Sequence, residues 1–206
     1  MAVISYQKRA LILITGAALL MAVCIFALPD LMIPDSDKLH RVDAIFHLSV
    51  GTRSKADDYV LDLFQQEYAE QVVCLSSQIS HELYPSDFAR LNLINRGIPE
   101  ERINSLHLAI YECPVELVDF LARYCLDHKW DSVLIVTSPE GNRRGRQLMR
   151  DDFKQRGIEL NFTHAPEDEL ELRRDWWRTH WKIQRLIGAV SDLLLDIYFG
   201  DCRQDS

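Results

Sequence analysis

The sequence predicts an α/β protein: a Rossmann-like three-layer sandwich with a mostly parallel sheet of about five strands, preceded by one transmembrane helix. Between residues 42 and 200, short apolar segments alternate with segments of helical periodicity. That alternation is typical of a parallel sheet covered by helices. Before it, residues 10–28 form 19 uncharged, mostly apolar residues. At 1.5 Å per residue, this segment is long enough to cross a bilayer.

The strands are expected at residues 42–48, 71–75, 103–106, 132–137 and 159–163. The fourth is an unbroken apolar run, which predicts a central strand covered on both faces. Helices are expected at residues 54–68, 86–96, 114–128, 143–156 and 167–199. Ser86 is the expected N-cap of the second helix, and Pro114 the first residue of the third.

Five parts are expected along the chain: a short cytoplasmic tail (1–9), a signal-anchor helix (10–28), a linker (29–41), an α/β domain (42–200) and a tail (201–206). A cleaved signal peptide is the competing interpretation of the apolar segment, but its apolar region would span only about 7–15 residues. The very short N-terminus favours a domain outside the cytoplasm. The predicted location is therefore the inner (plasma) membrane, single-pass, with an extracytoplasmic domain.

Charge and cysteine spacing exclude some functions. From residue 30 onward the chain carries 31 acidic and 21 basic residues, a net charge of −10, so no nucleic-acid partner is expected. The cysteines lack metal-binding spacing, and Cys74 and Cys125 are expected to be buried thiols. His81 and Glu82 have no third ligand nearby, so no metal site is expected. His47 is interpreted as a core or rim histidine.

The strongest candidate site follows the fourth strand, because ligands of such sheets bind beyond the carboxyl ends of the strands. There, hydroxyl groups precede arginines at a helix N-terminus, where cations oppose the helix dipole and a bound anion would offset the cost. The predicted anion ligands are Thr137, Ser138, Asn142, Arg143, Arg144 and Arg146. Further candidates in two other turns are Ser49, Gly51, Arg53, Ser76 and Ser77. A solvated basic face is the alternative.

Three tryptophans lie among basic residues near the end of the chain: Trp176, Trp177 and Trp181. Packing against the sheet is the first interpretation, and contact with a membrane interface is the alternative. The sequence contains no GxSxG, P-loop, GxGxxG or CxxC motif, so it names no reaction.

Five short segments, taken in order, resemble the YdcF/SanA/ElyC-like family of bacteria, a "domain of unknown function" family. They are residues 42–45, 68–76, 93–99, 133–138 with Arg144, and Trp176-Trp177. The resemblance covers roughly residues 42–199 and implies a Rossmann-type fold, often with an N-terminal membrane helix. Two departures stand out: Gly141 occupies the position of a family histidine, and Gly145 that of a family alanine.

The resemblance implies a role in the cell envelope or in peptidoglycan-related metabolism. The expected function is a membrane-anchored protein that binds a phosphorylated or otherwise anionic ligand of the nucleotide, sugar-phosphate or lipid-carrier type. A non-catalytic envelope scaffold and an S-adenosylmethionine-binding protein are the alternatives, the latter from the resemblance alone. The expected partners are the bilayer through residues 10–28, an anionic small molecule or lipid-linked sugar, and envelope proteins. No cofactor is otherwise expected, and whether the protein is an enzyme stays open.

Overall fold

The computed structural model describes residues 14–16, 19, 27–48, 55–78, 83–108, 114–174 and 176–198. Within these residues the strands are β1 (Val42–His47), β2 (Ala69–Ser77), β3 (Ile103–Leu108), β4 (Ser132–Val136) and β5 (Glu159–Thr163). They form a single sheet in the order β3-β2-β1-β4-β5, and each of the described pairings is parallel. The predicted α/β class and parallel sheet are confirmed.

From residue 42 onward, the described α-helices are α1 (Ala56–Gln65), α2 (Pro85–Asn95), α3 (Pro114–Asp127), α4 (Gly141–Gln155), α5 (Pro166–Arg173) and α6 (His180–Tyr198). The prediction of one continuous helix over residues 167–199 is wrong. Arg174 adopts extended backbone angles after α5, and a 3₁₀ turn at Trp176–Arg178 separates α5 from α6. This break in the helix accompanies the burial of Trp176.

Apolar side chains cover both faces of the sheet. On one face, Val60 of α1 and Leu93 of α2 pack against strand residues that include Ile45. On the other face, Leu121 of α3 and Phe153 of α4 pack against a second set that includes Phe46. Residues 133–136 of β4 alternate between the two cores and are at most 1% exposed. The prediction of a central, doubly covered fourth strand is confirmed.

The cysteine prediction is confirmed for the two positions that the structure describes. Cys74 on β2 and Cys125 on α3 are both buried free thiols. Burial raises the pKa of each thiol to about 12, so neither is a thiolate at neutral pH.

Residues 27–41, here called the N-terminal arm, pack closely on the domain although residues 29–41 were expected as a linker. Met32 and Ile33 are 2% and 1% exposed and pack with Leu172, Trp176 and Leu186. The Asp37 amide donates to the Phe162 carbonyl at 2.8 Å, and the Phe162 amide donates to Asp37 Oδ2 at 2.9 Å. The arm therefore runs along β5, the last strand of the described sheet. Trp176 therefore packs with Met32 and Ile33 of this arm.

The predicted membrane segment, residues 10–28, lies largely outside the described residues. Among the residues that are described, no helix is both long and apolar enough to cross a membrane.

Candidate functional site

The strand order places the candidate site where the chain reverses its direction of travel through the sheet. From β1 the chain moves outward to β2 and β3, and it then returns to add β4 on the other side of β1. His47 and Val136, the last residues of β1 and β4, lie side by side. The helices that follow neighbouring strands leave such a point on opposite faces, which opens a crevice at the carboxyl ends of the strands.

A cavity of about 770 Å³ lies at this point, on the face covered by α3 and α4. Its size falls within the range of small-molecule sites. Its apolar lining residues, here called the inner walls, include Leu48, Leu108, Leu117, Ile135, Leu148 and Phe162, and Leu108, Ile135 and Phe162 among them are buried. Its polar lining residues, here called the rim, include Ser77, Thr137, Ser138, Arg143, Arg144 and Arg185, and each of these six is at least partly exposed. The cavity therefore combines buried apolar walls with more accessible polar groups, most of whose charges are positive.

The N-terminus of α4 lies directly against the end of β4. The amides of Gly141 and Asn142 donate to the Ser138 carbonyl at 3.0 and 3.2 Å. A Cβ atom at position 141 would stand 2.9 Å from Thr137 Oγ1 and 3.0 Å from Ser138 Oγ. Glycine therefore allows the helix to begin beside the two predicted hydroxyls, and a larger side chain would push them away.

The predicted arginines divide between two places. Arg143 and Arg144 are half-buried and line the cavity, and Arg143 also donates to the Leu31 carbonyl of the arm. Arg146 lies outside the cavity lining: it donates to the Asp35 carbonyl at 2.7 Å and contacts Asp37 at 3.3 Å. The structure thus brings Arg143 and Arg144 together with Thr137 and Ser138, and it places Arg146 at the arm.

Glu140 and Arg185 complete the rim, and sequence reasoning did not single out either residue. Arg185 of α6 donates to both carboxylate oxygens of Glu140, at 2.6 and 2.7 Å. Glu140 is the N-cap residue of α4, a position at which the helix dipole stabilises a negative charge. Among the described lining residues the charged ones are these two with Arg143 and Arg144, so positive charge exceeds negative charge at the opening. No local pattern in the sequence indicated this pair, because its members are 45 residues apart.

Asn142 takes part in a buried network beside the cavity. Its side chain is fully buried, and Nδ2 donates to Nδ1 of His164 at 2.5 Å. Nε2 of His164 donates to Glu169 at 2.8 Å, and Arg173 donates to the same carboxylate at 2.7 Å. Burial alone would raise the pKa of Glu169, but the hydrogen bonds from His164 and Arg173 outweigh it and lower that pKa. Asn142 therefore anchors the start of α4 and lies outside the cavity lining.

The two serines at the end of β2 face opposite ways, because side chains alternate along a strand. Ser77 is exposed and lines the cavity. Ser76 is buried on the other face, where it donates to Ser86 Oγ and accepts from the Ser86 amide, each at 2.9 Å. The predicted N-cap is wrong by two residues: α2 begins at Pro85 after Tyr84, which makes no side-chain cap. Ser76 satisfies the second amide of that helix instead.

His47 is buried, as the core interpretation predicted, and it faces away from the cavity. Its Nε2 donates to Asp57 Oδ1 of α1 at 2.7 Å, and Asn92 of α2 donates to Asp57 Oδ2 at 2.8 Å. Burial would raise the pKa of Asp57, but hydrogen bonds with these partners lower it overall. The network joins β1 to the two helices on that face.

The comparisons with known proteins are negative. No protein-family model matches this chain, and no curated protein was found to be similar to it in sequence. The function proposed for this chain therefore rests on the geometry and charge of the cavity.

The remaining predicted ligands, Ser49, Gly51 and Arg53, lie outside the described residues, as do His81 and Glu82. Among the described lining residues there is no histidine or cysteine, and the carboxylate of Glu140 is engaged by Arg185. These groups suit the binding of an anion by arginine and hydroxyl donors. They do not include an evident general base.

Proposed function

We propose that this chain is a membrane-anchored protein of the bacterial cell envelope, related to the YdcF/SanA/ElyC-like family. In this proposal it binds a phosphorylated or otherwise anionic ligand at the cavity between the ends of β1 and β4. The observation that carries the proposal is the pair Arg143 and Arg144 in the first turn of α4, lining a cavity together with Thr137 and Ser138.

The electrostatics of α4 support an anion. A cation in the first turn of a helix costs about 0.3–1 kcal/mol when exposed, because it opposes the helix dipole. The first turn of α4 contains Arg143 and Arg144 and no acidic residue. An anion beside the two arginines removes this cost and accepts charge-assisted hydrogen bonds from their guanidinium groups.

The anchor supports the envelope location. Residues 10–28 are apolar over about the thickness of a bilayer, and the arm that follows them is packed onto the domain through Met32 and Ile33. An anchored chain of this kind would hold the cavity near the membrane surface. Location and topology stay predictions, which a reporter can test.

A second candidate, a non-catalytic member of the same family, is favoured by Gly141. The resemblance places a histidine there, but even a Cβ atom would come within 2.9 Å of Thr137 Oγ1. A chain that lacks this histidine, with no histidine among the described lining residues, is suited to ligand binding or to a scaffold role without turnover.

The test is a thermal-shift screen of the full chain in phosphatidylcholine nanodiscs, in which intrinsic tryptophan fluorescence reports unfolding. Ligands would include inorganic phosphate, nucleotides, sugar phosphates and polyprenyl phosphates. A ligand at 100 times its Kd stabilises by about 2.7 kcal/mol, which corresponds to a Tm increase of roughly 5–10 °C for a domain of this size.

Arg144→Ala should abolish this shift, whereas Arg123→Ala should preserve it. Arg123 is the matched control because it is exposed on α3 and pairs with Asp119 in its own helix. An absence of any shift with anions, or an equal shift in both variants, would refute the proposal. Calorimetry with S-adenosylmethionine tests the remaining alternative, and heat that persists in Arg144→Ala would favour a separate site for it.

A further inference from the structure

The apolar inner walls of the cavity indicate the class of ligand more narrowly than the charge of its rim does. Leu108, Leu117, Ile135, Leu148 and Phe162 line the cavity, and their side chains contain no hydrogen-bonding group. The hydroxyl and charged groups of the lining come mainly from the residues after β4, the start of α4 and Arg185 of α6. A ligand held at the rim alone would leave this apolar surface in water, whereas a ligand with an apolar part would bury it.

We infer that the ligand is an anionic amphiphile: its phosphate or similar head contacts Arg143 and Arg144, and an aliphatic body fills the apolar interior. This inference rests on the proposed function and specifies the ligand class. A nucleobase or a sugar would bring several hydrogen-bonding groups into the interior, and each one left without a partner costs free energy. An aliphatic body needs no such partners, and it matches the leucine, isoleucine and phenylalanine walls.

The outer wall of the cavity leaves space for such a body. Gly188 and Ala189 of α6 and Met32 of the arm contribute to the lining. A Cβ atom at position 188 would meet no atom within 4 Å. A larger side chain at position 188 can therefore occupy cavity space without displacing the existing structure, which makes this position suitable for a blocking variant.

The test measures affinity for a series of alkyl phosphates against inorganic phosphate, with the full chain in phosphatidylcholine nanodiscs and empty nanodiscs as the partition control. Each buried methylene should tighten binding about three- to fourfold. In Gly188→Leu this dependence on chain length should be lost, because the new side chain occupies the space of the alkyl body. Ile187→Leu, on the exposed side of α6, is the matched control and should behave as the wild type.

The outcomes separate this inference from the proposed function. If inorganic phosphate binds and Arg144→Ala weakens it, but longer alkyl chains add nothing, the anion site stands and the amphiphile is refuted. If no alkyl or inorganic phosphate binds, the proposed function falls as well. If chain length matters equally in Gly188→Leu and in the wild type, the tail lies elsewhere, and the inference is again refuted.

A photoactivatable alkyl phosphate gives a second measurement that needs no variant. Cross-links in peptides containing Leu108, Leu117 or Leu148 support the inference, and cross-links confined to other regions contradict it. Competition then identifies the source of the ligand. Displacement by phosphatidic acid within the nanodisc indicates a bilayer lipid, and displacement by octyl phosphate alone indicates a free amphiphile. Displacement by neither refutes the inference.

Discussion

Two glycines of α4 explain, at the scale of single residues, how this helix approaches the sheet. A Cβ atom at Gly145 would stand 2.7 Å from Cε1 of Phe162, and one at Gly141 would stand 2.9 Å from Thr137 Oγ1. Real Cβ contacts are not that short. The close packing of α4 against the sheet therefore requires glycine at both positions.

Gly141→Ala should therefore destabilise the protein. Overpacking costs about 1–3 kcal/mol, and the helix-propensity gain of up to about 1 kcal/mol is small at a first helical residue. We expect a net loss of about 1 kcal/mol and a Tm lower by roughly 2–4 °C. The matched control is Gly188→Ala in α6, where a Cβ atom meets open space and the same substitution should stabilise by about 0.5–1 kcal/mol. If urea unfolding gave changes in the free energy of unfolding of the same sign for both variants, this explanation would be contradicted.

Glu169 should contribute to the acid sensitivity of the fold. Its hydrogen bonds from His164 and Arg173 outweigh burial and place its folded-state pKa below the ordinary value. The stabilisation is therefore complete above the unfolded-state pKa of about 4.3 and is lost as pH falls through the folded-state pKa.

The free energy of unfolding, measured between neutral and acidic pH, should accordingly differ most between wild type and Glu169→Gln near neutrality. The difference should shrink on acidification below about pH 4.3. Glu171→Gln, at an exposed position of the same helix, is the control and should follow the wild type at every pH. If the difference in unfolding free energy stayed constant with pH, the effect of Glu169 would come from the packing of its side chain and not from its charge.

At the scale of elements, the arginines of α4 have two different tasks. Arg143 and Arg144 line the cavity, whereas Arg146 and Arg150 contact Asp37 of the arm. Since Arg146 and Arg150 are four residues apart, they share one side of the helix. The same helix therefore bounds the cavity and holds the arm along β5.

Asp37→Ala should release this contact. The substitution leaves the Phe162 amide and the two arginines without their carboxylate, and a partly buried group left unpaired costs about 1–3 kcal/mol. We expect a decrease of that size in the free energy of urea unfolding and faster hydrogen exchange at the Phe162 amide. Asp35→Ala is a close control, because Arg146 donates its hydrogen bond to the backbone carbonyl of Asp35, which the substitution retains. Equal losses of unfolding free energy in the two variants would show that the Asp37 carboxylate does not hold the arm.

At the scale of the whole molecule, the packed arm links the apolar segment directly to the domain. Among the described residues, 27–32 are helical, and Met32 and Ile33 at the end of this stretch are buried. If residues 10–28 cross the bilayer, a packed arm allows the domain little freedom to move away from the surface. The net charge of −10 from residue 30 onward would repel the rest of the domain from anionic headgroups.

A reporter fused after Ser206 tests the topology. A phosphatase reporter that is active only outside the cytoplasm should be active, and the full chain should stay in the membrane fraction after alkaline carbonate extraction. The physical reason is that 19 uncharged, mostly apolar residues are stable in the hydrocarbon core. An active cytoplasmic reporter would reverse the predicted orientation, and extraction by carbonate would contradict the anchor.

The sheet could be predicted because each strand is a local apolar run between turn residues, and the observed bounds of β5 are those expected. The broken tail could not, since the periodicity after residue 167 continues across the 3₁₀ turn. The serine pair of β2 shows a second limit. Ser76 and Ser77 look alike in sequence, yet Ser76 caps α2 and Ser77 lines the cavity. Which face of the sheet each side chain points to depends on the register of the strand, and the sequence of the strand does not specify it.

The sequence by itself determined the α/β class, the parallel sheet and the turn after β4, because periodicity and strand-end chemistry are local properties of the chain. Only the tertiary structure decided the strand order, the docking of the arm and the pairing of Glu140 with Arg185 across 45 residues. These depend on contacts between distant segments, which no local pattern encodes. The apolar cavity belongs to the same class, since its walls come from strands and helices that meet only when the domain is folded.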